Sequence, residues 1–293
     1  MYLDHFEYHA PQTSGQAMDL IESLGDKARL LAGGTDLLLM MKDKTLKPEH
    51  LIDINNVEEY KGISYEPGKG AVIGATTKIA DLEHSTLIQE KYYALHQAAG
   101  ELGSTQVRTM ATVGGNSCHA SPAAETPTPL VALGAKVVLS STSGEREMPL
   151  EEFITGNRMN ALAEGELLTR FLVPDLPPKS ASRYSYIGLR DAMEIDAVNM
   201  AVNLTVEDDG RTVKDLRLVM GSVAPRPLVS TEVPSLMIGK EFDEKLLEKA
   251  AQAASEEAKP ISDIRASAEY RRKVVAVLAR RLLKNAFDAV REV

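Results

Sequence analysis

Apolar and polar positions alternate along the first part of the chain in a pattern that predicts a helix followed by a strand. Residues 13–24 carry apolar side chains at helical spacing, with Thr13 or Ser14 in position to cap the helix. The segment ARLLAGG (28–34) has the apolar run and glycine ending of a short buried strand. A compact α/β beginning is therefore expected.

The same alternation continues through the next segment. TDLLLMMKDK (35–44) predicts a helix with Thr35 as its cap and Asp36 in its first turn, although the apolar run alone also fits a strand. HLIDINNV (50–57) predicts another strand. Residues 1–57 are therefore expected to form one compact α/β unit.

Beyond that unit the pattern predicts further strands and helices in less regular order. GAVIGATTKIADLEHS (70–85) predicts a strand and then a helix, and EKYYALHQAAGEL (90–102) predicts a helix. PTPLVALGAKVVLSS (127–141) predicts a helix and then a strand, and EGELLTRFLVP (164–174) predicts a strand. We expect the first of these helices to start near Thr76 or Thr77, and the last strand to end at Pro174.

A proline-rich segment divides the chain. PDLPPKSAS (174–182) is the best linker candidate, which gives a first domain over residues 1–176 and a second over 177–293. In the second, DDGR (208–211) predicts a hairpin turn between two alternating runs. Its final helix, near residues 267–290, has one basic face that is either solvated or docks a partner.

Composition narrows the functional classes. The chain has 293 residues, of which 44% are hydrophobic and 26% charged, as in ordinary globular proteins. A net charge of -9 argues against nucleic acid as the main partner, because phosphate binding rests on Lys and Arg. The N-terminus lacks the pattern of a signal peptide and no apolar run is long enough to span a bilayer, so a cytoplasmic protein is expected.

Cysteine and histidine usage bears on metal and redox chemistry. Cys118 is the only cysteine, which excludes an intrachain disulfide, a four-cysteine iron–sulfur cluster and a cysteine-rich zinc site in this chain. A small loop residue is favoured over a redox thiol at this position. The six histidines are not spaced along the sequence as metal ligands usually are. Surface or capping roles are therefore favoured over metal ligation, and no metal site is predicted. The histidines are His5, His9, His50, His84, His96 and His119.

Two pairs of adjacent glycines are the strongest candidates for chemistry. They lie in LLAGGTDLL (30–38) and in ATVGGNSCHASPAAE (111–125), each between a predicted strand and a predicted helix. Adjacent glycines permit positive φ and let main-chain amides approach an anion, to which Thr35 would add a hydroxyl donor. Neither pair matches a dinucleotide fingerprint or a P-loop, and a tight structural turn is the alternative.

These two motifs, in this order, resemble the FAD-binding medium subunit of molybdenum hydroxylases, the family of xanthine, carbon monoxide and nicotinate dehydrogenases. IGATTKIADLE (73–83) and EGELLTRFLVP resemble its intervening segments, and GLRDAMEIDAVNMAVNL (188–204) with LRLVMGSVAPRP (216–227) resembles its C-terminal domain. The heptapeptide RDAMEID (190–196) favours the xanthine dehydrogenase type within the family.

The resemblance implies an α+β fold. An FAD-binding domain of the vanillyl-alcohol-oxidase-like (PCMH) type, with subdomains of about 1–57 and 58–176, would precede a smaller domain of antiparallel sheet plus helices over 177–293.

The resemblance also implies a set of FAD-binding residues. The first loop would wrap the diphosphate, the second would close on it from the other subdomain, and Asn116 and Ser121 would lie nearer the flavin. The full set is Arg29, Leu30, Leu31, Ala32, Gly33, Gly34, Thr35, Asp36, Ala111, Thr112, Val113, Gly114, Gly115, Asn116, Ser121, Glu125, Leu167 and Tyr186.

Two of these positions depart from the family pattern. Glu125 stands where many relatives have Asp, which keeps an acid but changes its reach. Tyr186 stands where relatives often have Lys, so it either contacts the flavin ring or belongs to the core.

The function implied is electron transfer. A large partner subunit with a molybdenum cofactor would hydroxylate the substrate, and [2Fe-2S] clusters on a small partner subunit would pass electrons to this FAD. The acceptor would be NAD+, a quinone or ferredoxin. The alternatives are a stand-alone FAD-dependent oxidoreductase of the same fold and an assembly subunit whose FAD site has decayed, against which the intact glycine motifs speak.

Overall fold

The computed structural model describes residues 2–190 and 193–291, so Asp191 and Ala192 of RDAMEID lie outside the described residues. The strands are β1 Glu7–His9, β2 Ala28–Leu31, β3 His50–Asp53, β4 Ile63–Glu66, β5 Gly70–Gly74, β6 Lys136–Ser141, β7 Gly144–Pro149, β8 Ile154–Gly156, β9 Met159–Asn160, β10 Leu167–Val173, β11 Ser180–Ile187, β12 Val198–Val206, β13 Val213–Gly221 and β14 Leu228–Val229.

Helices connect and cover these strands. They are α1 Ser14–Leu24, α2 Leu37–Lys42, α3 Ile79–His84, α4 Thr86–Lys91, α5 Tyr93–Glu101, α6 Thr105–Arg108, α7 Val113–His119, α8 Pro127–Ala132, α9 Leu150–Phe153, α10 Glu232–Met237, α11 Glu244–Glu257 and α12 Ala268–Val290. No helix in the described residues has the length and apolar character needed to cross a bilayer.

The first sheet is parallel, with strand order β1-β3-β2. Thr13 caps α1 as predicted, because its side chain accepts a hydrogen bond from the Gln16 amide. The helix after the first glycine pair starts later than predicted: α2 begins at Leu37, Asp36 is its N-cap, and no side-chain bond caps it. The following strand ends at Asp53, where a 3₁₀ turn replaces its predicted last residues.

The second sheet is antiparallel, with order β4-β5-β10-β6-β7, and its core packs under α3, α4, α5 and α8. The predicted end of β10 before Pro174 is confirmed. The helix predicted near Thr76 or Thr77 begins only at Ile79. The two threonine hydroxyls instead donate to the Tyr60 and Gly62 carbonyls, in the segment before β4, which holds these residues outside the helix.

The helix predicted over residues 90–102 is interrupted at Tyr92, where α4 ends and α5 begins. The Tyr92 side chain is fully buried. Its hydroxyl accepts from the Ala71 amide at 3.1 Å and donates to the Val173 carbonyl at 3.3 Å. These two hydrogen bonds hold the junction between α4 and α5 against strands β5 and β10 of the second sheet.

The third sheet, β11-β12-β13-β14, is antiparallel and packs against α11 and α12 around a core of its own. The predicted hairpin turn joins β12 to β13, with Gly210 at a φ of 67° and the Asp209 carboxylate accepting from two main-chain amides. The final helix starts after its cap Ser267, as predicted. The fold therefore comprises two helix-and-sheet units that share a cleft and a third built on the antiparallel sheet.

Candidate functional site

A cleft of about 540 Å³ lies between the first and second sheets, and both glycine motifs line it. Most lining residues come from three places: β2 with the loop and helix α2 after it, the 3₁₀ turn after β3, and the segment from the end of α5 to the start of α8. Single residues come from the loop after β5, from β10 and the loop before it, and from the loop between β11 and β12. The lining residues include thirteen of the residues predicted from the sequence: Arg29, Leu30, Ala32, Gly33, Gly34, Thr35, Asp36, Ala111, Thr112, Gly114, Gly115, Asn116 and Glu125.

The first loop presents unpaired main-chain donors to the cleft. The amides of Gly33, Gly34, Thr35 and Asp36 donate to no group within the described residues. Gly34 has a φ of 72°, which only glycine adopts at little cost. A run of such amides in one turn is an arrangement that binds anionic oxygens.

The two glycine motifs touch each other across the cleft. A Cβ on Gly33 would overlap the Met110 carbonyl oxygen and come within 2.8 Å of the Ala111 Cα. A Cβ on Gly114 would come within 2.6 Å of the Ala75 carbonyl oxygen. Glycine is therefore required at both positions because main chain from another segment lies there.

The second glycine pair is not a turn between a strand and a helix. Gly114 and Gly115 lie in the first turn of α7, whose N-cap Thr112 accepts a hydrogen bond from the Gly115 amide at 3.1 Å. Neither glycine has a positive φ. The prediction of a strand before this motif was wrong, because the amides of Val113 and Gly114 donate to the Thr77 and Ala75 carbonyls instead.

Five predicted residues do not line the cleft. Leu31 and Val113 are not among the lining residues, and Val113 is fully buried. Ser121 accepts a hydrogen bond from the Ala123 amide in a local turn. Leu167 is fully buried against α1 and the first sheet, whereas the next residue along β10, Leu168, lines the cleft.

Tyr186, the fifth, lies on β11 with its hydroxyl hydrogen-bonded to Glu101. Burial raises the Tyr186 pKa to about 12, and the Glu101 charge and hydrogen bond act in the same direction. The sequence left open whether Tyr186 contacts the flavin ring or belongs to the core. Its packing against the core of the second sheet fits the core role.

Charged groups face one another across the cleft. His119 Nε2 lies 3.7 Å from Asp36 Oδ1, which joins the two motifs. Burial, opposed by hydrogen bonds from its own amide and Asn116 and helped by the nearby Asp36 charge, raises the Glu125 pKa to about 7. The side chain of Asn116 is held by the Thr126 hydroxyl, which donates to Asn116 Oδ1 at 2.6 Å.

A buried polar network near the cleft joins α8 to the third unit. Asp196 Oδ2 accepts from the Tyr184 hydroxyl at 3.3 Å and from Asn199 Nδ2 at 3.1 Å. Asn199 Oδ1 in turn accepts from the Thr128 hydroxyl at 2.7 Å. Burial raises the Asp196 pKa to about 8, with a further contribution from the Glu125 charge.

Several residues that line the cleft were not predicted from the sequence. Glu194 is the most polar of them: its Oε2 accepts from the Leu189 and Arg190 amides, and its Oε1 is buried without a partner. The remaining residues are apolar or small and carried no sequence signal; they are Leu37, Met40, Ile54, Ala75, Leu102, Gly103, Val107, Leu162 and Leu168.

Cys118 and His119 also line the cleft. Burial raises the pKa of the Cys118 thiol to about 12, so the nucleophilic thiolate is scarce at neutral pH. The raised pKa is in keeping with a structural residue rather than a redox thiol, although Cys118 lies in α7 and not in the predicted loop.

Two family models match the chain. Residues 4–176 match the FAD binding domain in molybdopterin dehydrogenase, and residues 183–286 match the CO dehydrogenase flavoprotein C-terminal domain. The FAD model alone spans more than half of the 293 residues.

Individual relatives match over nearly the whole length. The carbon monoxide dehydrogenase medium chain of Hydrogenophaga pseudoflava is 34% identical, over 96% of this chain and 97% of that one. The xanthine dehydrogenase FAD-binding subunit of Escherichia coli O157:H7 is 29% identical, over 98% and 97%. Identity alone therefore does not favour the xanthine type that RDAMEID suggested.

A solved structure gives the same result for the fold. A chain of carbon monoxide dehydrogenase from Hydrogenophaga pseudoflava, in a form that lacks the Mo-pyranopterin moiety of the molybdenum cofactor, superposes with a TM-score of 0.93 over 99% of both chains. The predicted α+β architecture, with an FAD-binding domain before a domain of antiparallel sheet, is confirmed. This protein is an oxidoreductase flavoprotein that belongs to the FAD-binding medium subunits of the molybdenum hydroxylase family.

Proposed function

We propose that this chain is the electron-transfer subunit of a molybdenum-containing hydroxylase complex. Electrons would reach its FAD from [2Fe-2S] clusters on a small partner subunit, after a large partner subunit with the molybdenum cofactor has oxidised the substrate. They would leave to an acceptor such as NAD+, a quinone or ferredoxin. The whole-length similarity to medium chains supports this division, and a chain with one cysteine cannot itself supply four thiolate ligands.

The observation that carries the proposal is the set of four free amides in the first loop. The amides of Gly33, Gly34, Thr35 and Asp36 suit the oxygens of a diphosphate, and the second motif closes the same cleft. When bound, FAD supplies the one- and two-electron chemistry, and the protein supplies binding and orientation. We assign the diphosphate to these two motifs and the flavin end to the region of Asn116 and Glu125.

Single side chains of the cleft have more specific roles in this proposal. Leu168, rather than the predicted Leu167, packs on the cofactor from β10, and Glu194 lines the same cleft. Tyr186 acts as a core residue. We also propose domain boundaries near residues 57 and 176, and the cytoplasmic location stays a prediction.

The decisive experiment is purification of the protein from its native host, followed by a visible absorption spectrum and metal analysis of the same sample. Flavin bands together with iron and molybdenum in fixed proportion are the expected result. Flavin alone, with turnover by the isolated chain, would replace the proposal with a stand-alone flavin oxidoreductase. A complex containing the metals but no flavin would mean that the FAD site has decayed.

The electron path is tested on the same complex. Anaerobic addition of its reducing substrate should bleach the flavin bands, and addition of each candidate acceptor should restore them. Removal of the flavin should leave iron–sulfur reduction intact and block acceptor reduction. Acceptor reduction at an unchanged rate without flavin would contradict the assigned role.

A further inference from the structure

Three potential metal ligands meet on one face of the first sheet, away from the cleft. They are Glu7 and His9 on β1 and His50 on β3. Side chains two residues apart on a strand share a face, which places Glu7 with His9. The parallel register pairs Glu7 with His50, so the His50 side chain joins them.

The ligand atoms are at the separations that a bound ion needs. His9 Nε2 lies 3.2 Å from His50 Nδ1, and Glu7 Oε2 lies 3.4 Å from His50 Nδ1 and 4.0 Å from His9 Nε2. A tetrahedral zinc ion with ligands at about 2.0–2.1 Å holds them about 3.3–3.4 Å apart. Two of the three separations match this spacing, and the third needs only a small movement of the exposed Glu7 side chain.

The two histidines form a preorganised pair, and the acid completes it. Their side chains are 25% and 16% exposed, whereas that of Glu7 is 65% exposed and free to turn towards an ion. Imidazole nitrogens facing each other, together with one carboxylate, form the His₂Glu donor set that zinc binds with a fourth position left to water.

The cluster is separate from the cofactor cleft. His50 also pairs with Ala28, the first residue of β2, whereas the first glycine loop follows Leu31 at the other end of that strand. Three residues of strand span about 10 Å. Because β1 has only three residues, an ion held by β1 and β3 would fasten the beginning of the chain to the sheet.

We propose that Glu7, His9 and His50 bind a divalent transition metal ion, Zn²⁺ by ligand type, which clamps β1 to β3. The histidine spacing along the sequence gave no sign of it, because the ligands are joined by strand pairing and 41 residues separate the two histidines. The ion ties down the N-terminal strand and takes no part in the flavin chemistry.

Calorimetric titration of the metal-stripped, flavin-loaded protein with ZnCl₂ tests the site. The wild type should bind one ion per chain, and His50→Ala or His9→Ala should weaken binding at least 30-fold, with a smaller loss for Glu7→Gln. His84→Ala is the matched control, because its imidazole contacts the Ala80 carbonyl on α3, outside the cluster. FAD content should be unchanged in every variant, which separates failure of this site from failure of the cofactor proposal.

A thermal denaturation experiment gives an independent reading. Zn²⁺ should raise the Tm of the wild type and of His84→Ala, EDTA should reverse the increase, and the double variant His9→Ala/His50→Ala should show none. Zinc binding that survives in this double variant would overturn the proposal. The proposal would also be overturned if the wild type bound Zn²⁺ no more tightly than this double variant does.

Discussion

Gly33 and Gly114 were singled out by sequence, but the reason they must be glycine was not visible there. The sequence reasoning assigned both pairs to positive φ and to close approach of a ligand. Only Gly34 has the positive φ, and the main chain that excludes a Cβ at Gly33 lies at Met110 and Ala111, far along the sequence. A contact between loops of different units leaves no mark in local composition, so the motif was predictable and its cause was not.

Gly33→Ala should weaken FAD binding at least tenfold. The new Cβ would overlap the Met110 carbonyl, so the first loop must move away from the second and its free amides lose their alignment. Flavin per chain after gel filtration and FAD titration of stripped protein measure the effect.

The matched control for this variant is Gly15→Ala. Gly15 lies in α1 with nothing within 4 Å of the Cβ position, so alanine should keep FAD affinity and add about 0.5–1 kcal/mol of stability. Unchanged FAD affinity in Gly33→Ala, with a circular dichroism spectrum like the wild type, would contradict the loop contact as the origin of the glycine.

Helix and strand boundaries were predictable where local signals set them. The last helix has its cap at Ser267 and a sustained apolar period, and it starts within one residue of the prediction. The helix after Thr76 and Thr77 starts later because hydrogen bonds to a distant loop hold these threonines. Where the periodicity of the sequence misplaces the start of a helix, hydrogen bonds to residues distant in sequence therefore set it.

The final helix also contains a buried arginine that its basic face did not reveal. Arg271 is 3% exposed, and its guanidinium donates to the Ala197 and Ser222 carbonyls and to Asp263. Burial raises the pKa of Asp263, but hydrogen bonds from Arg265, Ala266 and Arg271 outweigh it and lower the pKa to about 2. Arg271 thus fixes α12 to the third sheet.

Arg271→Met should cost about 2–4 kcal/mol of unfolding free energy, because it leaves two buried carbonyls without their donor and removes one hydrogen bond from Asp263, which Arg265 still pairs. Lys273→Met is the control on the same helix; its exposed pair with Glu269 should contribute at most about 0.5 kcal/mol. Urea denaturation followed by circular dichroism measures both. A loss below 1 kcal/mol in Arg271→Met would refute the anchoring role.

The second and third units are joined by a buried polar network as well as by apolar packing. Tyr184, Ala201 and Val219 of the third sheet belong to the core of the second unit, and Asp196 lies in the hydrogen-bonded chain that reaches Thr128. The fold class and the order of units followed from periodicity and motif order. The network did not, because its members come from three separated segments.

Asp196 makes the stability of the whole molecule depend on pH. Its pKa is about 8 in the folded protein and 3.8 for an ordinary aspartate, so the folded state binds the extra proton between these values. Stability from this group is full below about pH 4 and is lost as pH rises towards 8. The slope is at most about 1.4 kcal/mol per pH unit.

Asp196→Asn should remove this part of the pH dependence, because the amide oxygen still accepts from Tyr184 and Asn199 and carries no charge. Urea denaturation of flavin-loaded protein at several pH values from 5 to 8 should show the variant gaining on the wild type as pH rises. Asp208→Asn, at a fully exposed position, should follow the wild-type curve. Parallel curves for Asp196→Asn and wild type would show that the buried carboxyl does not titrate in this range.

The donors that the first loop offers to the cleft belong to the main chain, and this has a consequence for sequence drift. Every residue type except proline supplies a main-chain N–H, so Thr35 and Asp36 can be exchanged without removing a main-chain donor. Gly33 and Gly114 have no such freedom, because the opposite segment fills the space of any side chain. Relatives can therefore diverge across the rest of the loop and keep the same cradle, provided that Gly33, Gly34 and Gly114 persist and no proline enters.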